Sequence, residues 1–246
     1  MPEDRSVLTR PATPPDETVA YGTDPDRIAD IRFGGEQAAR RPLVLLIHGG
    51  FWRPIYDRMH TGPMAVAMAA AGWTVAAIEY RRVPQHPNLT IDDVAAALTG
   101  LPAKVRKHDG RVLVMGHSAG GHLALWAASK RPNPQLMGAL ALGAAADLQL
   151  ADALDLGEGA TRLFLGEDPR NRADLDPKRM PSPAIPVTLV HGEEDDVVPV
   201  SLSESYVAAH PRARLVKLRG VGHFAVIDPL SRAWPIVMEQ LEQLAG

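Results

Sequence analysis

Residues 111–128 read Arg111-Val112-Leu113-Val114-Met115-Gly116-His117-Ser118-Ala119-Gly120-Gly121-His122-Leu123-Ala124-Leu125-Trp126-Ala127-Ala128, and this stretch decides the fold. Val112–Met115 has the length and composition of a buried strand, and the Ala- and Leu-rich run after Gly121 has that of a helix. Gly116-His117-Ser118-Ala119-Gly120 lies between them. A serine at such a corner sits on a strained turn with its hydroxyl exposed at the end of a sheet, and the flanking glycines let neighbouring backbone come close. That placement suits a nucleophile. Alone, a G-x-S-x-G also fits an ordinary loop, so its surroundings must carry the reading.

Outward from this corner, apolar runs of strand length alternate with helical patterns: Leu43–Ile47, Trp73–Ile78, Val112–Met115, Gly138–Leu142, Pro186–Val190 and Arg214–Leu218. The alternation predicts an α/β protein with a mostly parallel central sheet and helices on both faces. Pro63 and Gly72 bracket one helix, and Thr90-Ile91-Asp92-Asp93 resembles a capping box opening a second. Lys130, Arg131 and Pro132 end the helix after Ser118. Leu230, Trp234, Val237, Leu241 and Leu244 form a stripe on a last helix that Pro235 can kink. Residues 1–27, rich in Pro, Asp and Thr, read as an extended amino-terminal arm. Residues 28–246 read as one domain with a small cap at about 144–183.

Composition narrows the function classes. The 246 residues, 46% hydrophobic and 22% charged, can bury a large core, and the length suits one α/β domain while also allowing two small ones. A net charge of −3 gives no basic footprint for nucleic acid or an anionic membrane, so a small-molecule substrate is expected. No run approaches a membrane span, and Met1-Pro2-Glu3-Asp4-Arg5 lacks a secretory pattern, which points to the cytoplasm. The absence of cysteine removes disulfides, thiolate catalysis and Cys-ligated zinc.

Three further strand ends carry chemistry. After Leu45-Leu46-Ile47 comes His48-Gly49-Gly50-Phe51-Trp52, whose glycines free backbone N–H groups; those of Gly50 and Phe51, with that of Ala119, would form an oxyanion hole. Val187–Val190 runs into His191-Gly192-Glu193-Glu194-Asp195-Asp196, and Arg214–Leu218 is followed by Gly222-His223-Phe224. Each piece has an ordinary reading: a glycine turn, a solvated acidic run or weak cation site, a loop histidine. Together they give the order Ser, Asp, His, which is the chain order of α/β-hydrolase triads.

These motifs resemble those of the α/β hydrolases. Within that group His48-Gly49-Gly50-Phe51-Trp52 matches the HGGxW signature of kynurenine formamidases (arylformamidases), and Gly116–Ala124 resembles the nucleophile segment that formamidases share with related carboxylesterases. Glu79-Tyr80-Arg81-Arg82-Val83-Pro84, Phe164-Leu165-Gly166, Pro181-Ser182-Pro183 and His191-Gly192-x-x-Asp195-x-x-Val198-Pro199 extend the similarity over about residues 28–245. The resemblance implies Ser118 as nucleophile, His223 as general base and then acid, and Asp195 as the carboxylate that orients it, with Asp196 and Glu194 as rivals for that last role. It implies an acyl-enzyme mechanism without metal or cofactor, and an aryl formamide such as N-formyl-L-kynurenine as substrate. The alternative is a broad carboxylesterase for small acyl or aryl esters. Trp52 either packs on a substrate ring or anchors its loop in the core, and Arg53 is a candidate for a substrate carboxylate. His117 and His122 read as structural neighbours of the elbow, and His48 as a residue shaping its loop. His60, His86, His108, His191 and His210 fall in no metal-ligand pattern. Outside these hydrolases, a catalytically silent ligand receptor and a metal-dependent amidase are the other classes weighed.

Overall fold

The computed structural model describes residues 3–246. Among them, eight strands form one sheet: β1 (Glu17–Ala20), β2 (Ile28–Arg32), β3 (Leu43–Ile47), β4 (Val75–Ile78), β5 (Val112–His117), β6 (Leu136–Leu142), β7 (Val187–Gly192) and β8 (Arg214–Leu218). Their spatial order is β1-β2-β4-β3-β5-β6-β7-β8. The pairs β1/β2 and β2/β4 are antiparallel and the rest parallel, so the expected mostly parallel sheet is present with a two-strand antiparallel edge. The helices are α1 (Gly62–Ala70), α2 (Pro87–Gly100), α3 (Ala119–Lys130), α4 (Leu148–Ala153), α5 (Ala160–Leu165), α6 (Ser201–Ala209) and α7 (Trp234–Ala245).

Strand periodicity sorts the core into two layers. Leu43, Leu45 and Ile47 of β3, with Val112 and Val114 of β5, pack against Val94 and Leu98 of α2, Leu123 of α3 and Leu202 of α6. Val44, Leu46, Leu113 and Met115 point the other way, against Met64 and Met68 of α1 and Val237 and Leu241 of α7. Because side chains alternate along a strand, a continuous apolar run covers both faces at once. The chain leaves β3 toward β4 on one side, then crosses back to place β5 on the other. The ends of β3 and β5 therefore flank the point where strand order reverses, the usual crevice for a ligand in an open α/β sheet.

Several elements differ from the sequence expectations. The segment 1–27 is more than an arm: Glu17–Ala20 pairs with β2 as the sheet edge, and Val7 is buried against the α1/α7 layer. Met1 and Pro2 lie outside the described residues. The strands β1 and β2 are additions to the expected set, since their short polar-interrupted runs, such as Ile28-Ala29-Asp30-Ile31-Arg32, carry little apolar signal. The capping box is absent: α2 begins at Pro87, and Thr90, inside it, donates to the Arg81 carbonyl (2.6 Å). The last helix has no internal proline to kink it, because Pro235 lies in the first turn of α7, where it costs no hydrogen bond, and Leu230 precedes the helix as an exposed residue.

The elbow is held by backbone contact that admits no side chain. A Cβ on Gly116 would stand 2.0 Å from the Gly120 carbonyl oxygen, and one on Gly120 would stand 2.1 Å from that of Ile47. Gly120→Ala should therefore lower unfolding free energy by about 3 kcal/mol or prevent soluble expression, as overpacking against rigid backbone does. Gly100, at the end of α2 with φ −93° and open space around its Cβ direction, is the control: Gly100→Ala should stay within about 0.5 kcal/mol of wild type or exceed it. Urea denaturation of the two variants checks the contrast.

Candidate active site

Ser118 links β5 to α3 with φ 56° and ψ −118°, a conformation that L residues rarely adopt. Hydrogen bonds fix this corner on both sides. Its N–H donates to the Leu142 carbonyl (2.8 Å), and its own carbonyl accepts from the N–H groups of His122 (3.1 Å) and Ala145 (3.3 Å). The residue is nearly buried, yet it borders a cavity of about 530 Å³ that His223, Gly50 and Phe51 also line.

Of the three carboxylates weighed for the acid, the one on His223 is that of Asp195: His223 Nδ1 lies 2.7 Å from its Oδ2. The other oxygen, Oδ1, accepts from the N–H groups of Val197 (3.0 Å) and Val198 (2.7 Å). His191 Nε2 donates to the Val198 carbonyl (2.8 Å) and also approaches Oδ2 at 3.2 Å, while its Nδ1 meets the Ser203 hydroxyl at 2.7 Å. Burial raises the Asp195 carboxyl, but the hydrogen bonds from His191 and His223 outweigh it and hold the group well below the usual carboxylate range, so it stays ionised at neutral pH. With Nδ1–H committed to Asp195, the neutral His223 ring keeps Nε2 as an acceptor. The hydrogen bonds recorded at His223 are those to Asp195 and, through its carbonyl, to His117; a contact with Ser118 is not among them. Such contacts often tighten only with substrate present.

The loop after β3 takes an unusual path. Gly50, Phe51 and Trp52 all have positive φ (115°, 51° and 55°), and a Cβ on Gly49 would press within 2.9 Å of Ser118 Cβ. Among the described residues the N–H groups of Gly50, Phe51 and Ala119 have no backbone acceptor. They are available beside the serine. A buried polar cluster holds the loop from beneath: His48 Nε2 lies 3.0 Å from Glu79 Oε1, and the Tyr80 hydroxyl donates to the His48 carbonyl at 2.9 Å. Glu79 also accepts from the N–H groups of Tyr80 and Arg58 and from the Arg82 guanidinium. Burial raises the Glu79 carboxyl, yet these donors, His48 foremost, bring it down to about 2.

Other candidates fall elsewhere. Trp52 is buried, stacked on Phe164 (ring centroids 4.8 Å apart), and its Nε1 donates to His122 Nδ1 at 3.3 Å. Of its two weighed roles, loop anchoring is the one its surroundings fit. The aromatic rings that line the cavity are instead Phe51, Tyr56 and Phe224. Arg53 is turned to the carbonyls of Gly157 and Glu158. His122 donates through Nε2 to the Leu175 carbonyl (2.7 Å), and burial lowers it to about 4. His117 likewise donates to the His223 carbonyl (3.0 Å), fastening the loop that carries that residue; burial and the neighbouring His223 keep it well below its ordinary value.

Sequence reasoning missed His191 and Glu79 as supports. Each stands within a sequence motif at a strand end, and only burial distinguishes its supporting role from that of a loop residue. It also missed who closes the cavity. The cap segment 144–183 contributes none of the described lining residues; Arg5, Leu8 and Thr9 of the arm do, with Ile55, Tyr56, Met59 and His60 from the loop after β3. Among the described residues no three His, Asp or Glu side chains converge as a metal site, and no helix is long and apolar enough to cross a membrane.

Comparison with known proteins places this architecture. The BD-FAE family profile matches residues 29–209, a span that includes Ser118 and Asp195 but ends before His223. Esterase LipC of Mycobacterium tuberculosis is 25% identical over 262 aligned positions, covering 92% of this chain and 65% of LipC. Kynurenine formamidase of Danio rerio is 27% identical over 137, covering 53% of this chain and 46% of that protein. The chain thus spans less than two-thirds of the length of these relatives. Among solved structures, a truncated carbohydrate esterase from gut microbiota superposes with a TM-score of 0.76 at 18% identity, covering 94% of this chain and 96% of the other. Esterase 2 of Thermogutta terrifontis does so with a TM-score of 0.74 at 20% identity, covering 96% and 95%. The fold is that of the α/β hydrolases, and the chain belongs to the BD-FAE family.

Proposed function

We propose that the protein is a serine esterase that cleaves small acyl or aryl esters through an acyl-enzyme on Ser118. The observation that carries this reading is the convergence on one cavity of a strained elbow serine and a histidine whose Nδ1 is bound to a buried, ionised Asp195. In this mechanism His223 Nε2 takes the Ser118 proton as Oγ attacks the ester carbonyl, and Asp195 stabilises the imidazolium that results. The N–H groups of Gly50, Phe51 and Ala119 receive the oxyanion. His223 returns the proton to the departing alcohol. Water then attacks the acyl-enzyme by the same route, and Ser118 leaves with its proton restored.

The relatives support the ester preference, since LipC and the two structural neighbours named above all bear esterase names. So does the rim: Ile55, Tyr56 and Met59 are exposed apolar side chains at the cavity, suited to an alkyl or aryl group. A second reading, an aryl formamide such as N-formyl-L-kynurenine, is favoured by His48-Gly49-Gly50-Phe51-Trp52 and by the partial match to the Danio rerio formamidase. It ranks second because Trp52 and Arg53, the residues it would use for ring and carboxylate, are engaged within the protein.

A fluorophosphonate probe should label wild type at Ser118 and leave Ser118→Ala unlabelled, with kcat of that variant reduced on the order of 10^6-fold. A variant that keeps a tenth of the activity would end the covalent mechanism. On a panel of 4-nitrophenyl acetate, 4-nitrophenyl butyrate, formanilide and N-formyl-L-kynurenine, kcat/KM should be at least about tenfold higher for an ester than for either formamide, the difference a well-fitted pocket makes. The reverse order would promote the formamidase reading.

The acid is tested separately. Asp195→Asn should lower kcat by about 10^4-fold, because an amide favours the wrong imidazole tautomer. Asp196→Asn and Glu194→Gln should remain within a few-fold of wild type, and equal losses at all three positions would remove Asp195 from its role.

A further inference from the structure

The arm that forms one wall of the cavity lies outside residues 29–209, the segment matched by the family profile. It is tied down at several points. The Glu3 carboxylate accepts from the Phe224 N–H, Val7 is buried in the core, Arg10 pairs with Asp228, and Arg32 donates to the Thr13 and Pro14 carbonyls. A segment fixed in this way presents its remaining side chains in set directions.

One of those side chains is Arg5. It is the one lysine or arginine among the described lining residues of the cavity. Its guanidinium carbon sits 5.3 Å from the centroid of the Phe224 ring, and that ring lies edge-on to His223 with centroids 5.0 Å apart. The guanidinium therefore stands one aromatic ring beyond the imidazole, at the lining of the same cavity. Among the described residues no carboxylate lies within ion-pair distance of it, although arginines elsewhere, such as Arg10, Arg58 and Arg81, are paired. The nearby acids each accept one backbone N–H: Asp4 from Ser6, Asp57 from Met59, and Glu3 through Oε1 from Phe224, with Glu3 Oε2 lacking a hydrogen-bond partner among the described residues. The rim also holds Asp57, and His60, which burial and His48 lower to about 4 so that it adds no positive charge at neutral pH.

We infer that Arg5 is a specificity-determining residue that receives a carboxylate on the substrate, so that the preferred esters are anionic. The inference rests on the esterase reading of the Ser118 site. A guanidinium with free N–H groups, steadied on an aromatic face beside a largely apolar cavity, is suited to a carboxylate held in a charge-assisted pair. The apolar rim takes the rest of the molecule.

The test compares matched esters with and without the charge. On the acyl side the pair is the 4-nitrophenyl monoester of adipic acid against 4-nitrophenyl hexanoate; on the alcohol side it is 3-(4-acetoxyphenyl)propanoate against its methyl amide. In at least one pair, Arg5→Ala should raise KM for the charged member about tenfold, with kcat and the neutral member within about twofold, as loss of one charge-assisted pair predicts. Arg5→Lys should recover part of the loss, and Arg5→Glu should deepen it. High salt should erode the wild-type preference for the charged ester. If neutral esters are cleaved while Arg5→Ala leaves both charged substrates within twofold, or shifts charged and neutral esters alike, this inference alone is overturned. If the wild type cleaves no ester at all, the esterase reading falls and takes the inference with it.

Discussion

Backbone strain at Ser118 is the constraint around which the rest of the structure is arranged. A non-glycine residue at φ 56° and ψ −118° costs on the order of 1–3 kcal/mol, and it persists only where the surroundings over-determine it. Here they do so with backbone. The Leu142 carbonyl and the His122 and Ala145 N–H groups hold the peptide units on either side of the serine. Gly116, Gly120 and Gly49 allow β5, α3 and the loop after β3 to come close enough that no Cβ would fit between them. The loop bearing Gly50 and Phe51 runs against the elbow through the same contact, which leaves their N–H groups without a backbone acceptor among the described residues.

On either side of that corner, a buried carboxylate organises a second group. Asp195 takes two backbone N–H groups and two imidazoles, and Glu79 takes two backbone N–H groups, an imidazole and a guanidinium. Buried charge is tolerable only when so fully bonded, and a fully bonded network has little freedom to rearrange. One network orients His223 and the other orients the loop after β3. The cap segment adds a brace from outside: Gly157 leaves room for the Phe51 ring, and Arg53 reaches the Gly157 carbonyl.

How much of this the sequence displays depends on the range of the interaction. The parallel strands announce themselves as apolar runs, and strand ends with Gly, His, Ser and Asp mark the chemistry, so the six core strands and the elbow are legible from residue order. The antiparallel edge is not, since β1 and β2 are stabilised by pairing with β4 more than by their own composition. The neighbours of Asp195 explain why Asp195 and not Asp196 faces His223: the turn from Gly192 to Val198 aims one carboxylate inward and leaves the next outside, a choice made by backbone geometry that composition does not encode. The same limit hid the wall of the cavity. Proline-rich composition describes residues 10–15 as extended, while Ser6–Leu8 form a 3-10 turn; where the segment docks is set by Arg32 and by the distant Phe224 and Asp228.

That docking gives the protein a distinct order of assembly. The contacts Glu3–Phe224 and Arg10–Asp228 join residues 221 and 218 positions apart, whereas the elbow and its glycines draw on neighbours within the first 150 residues. Closing so long a loop carries an entropic cost that is repaid only after the intervening sheet exists, so the wall is expected to settle last. During synthesis the Ser118 corner can form while residues 223–228 are still inside the ribosome, and the cavity becomes enclosed only when the two distant segments meet. Closure of the cavity is thereby a late event, coupled to synthesis of residues 223–228.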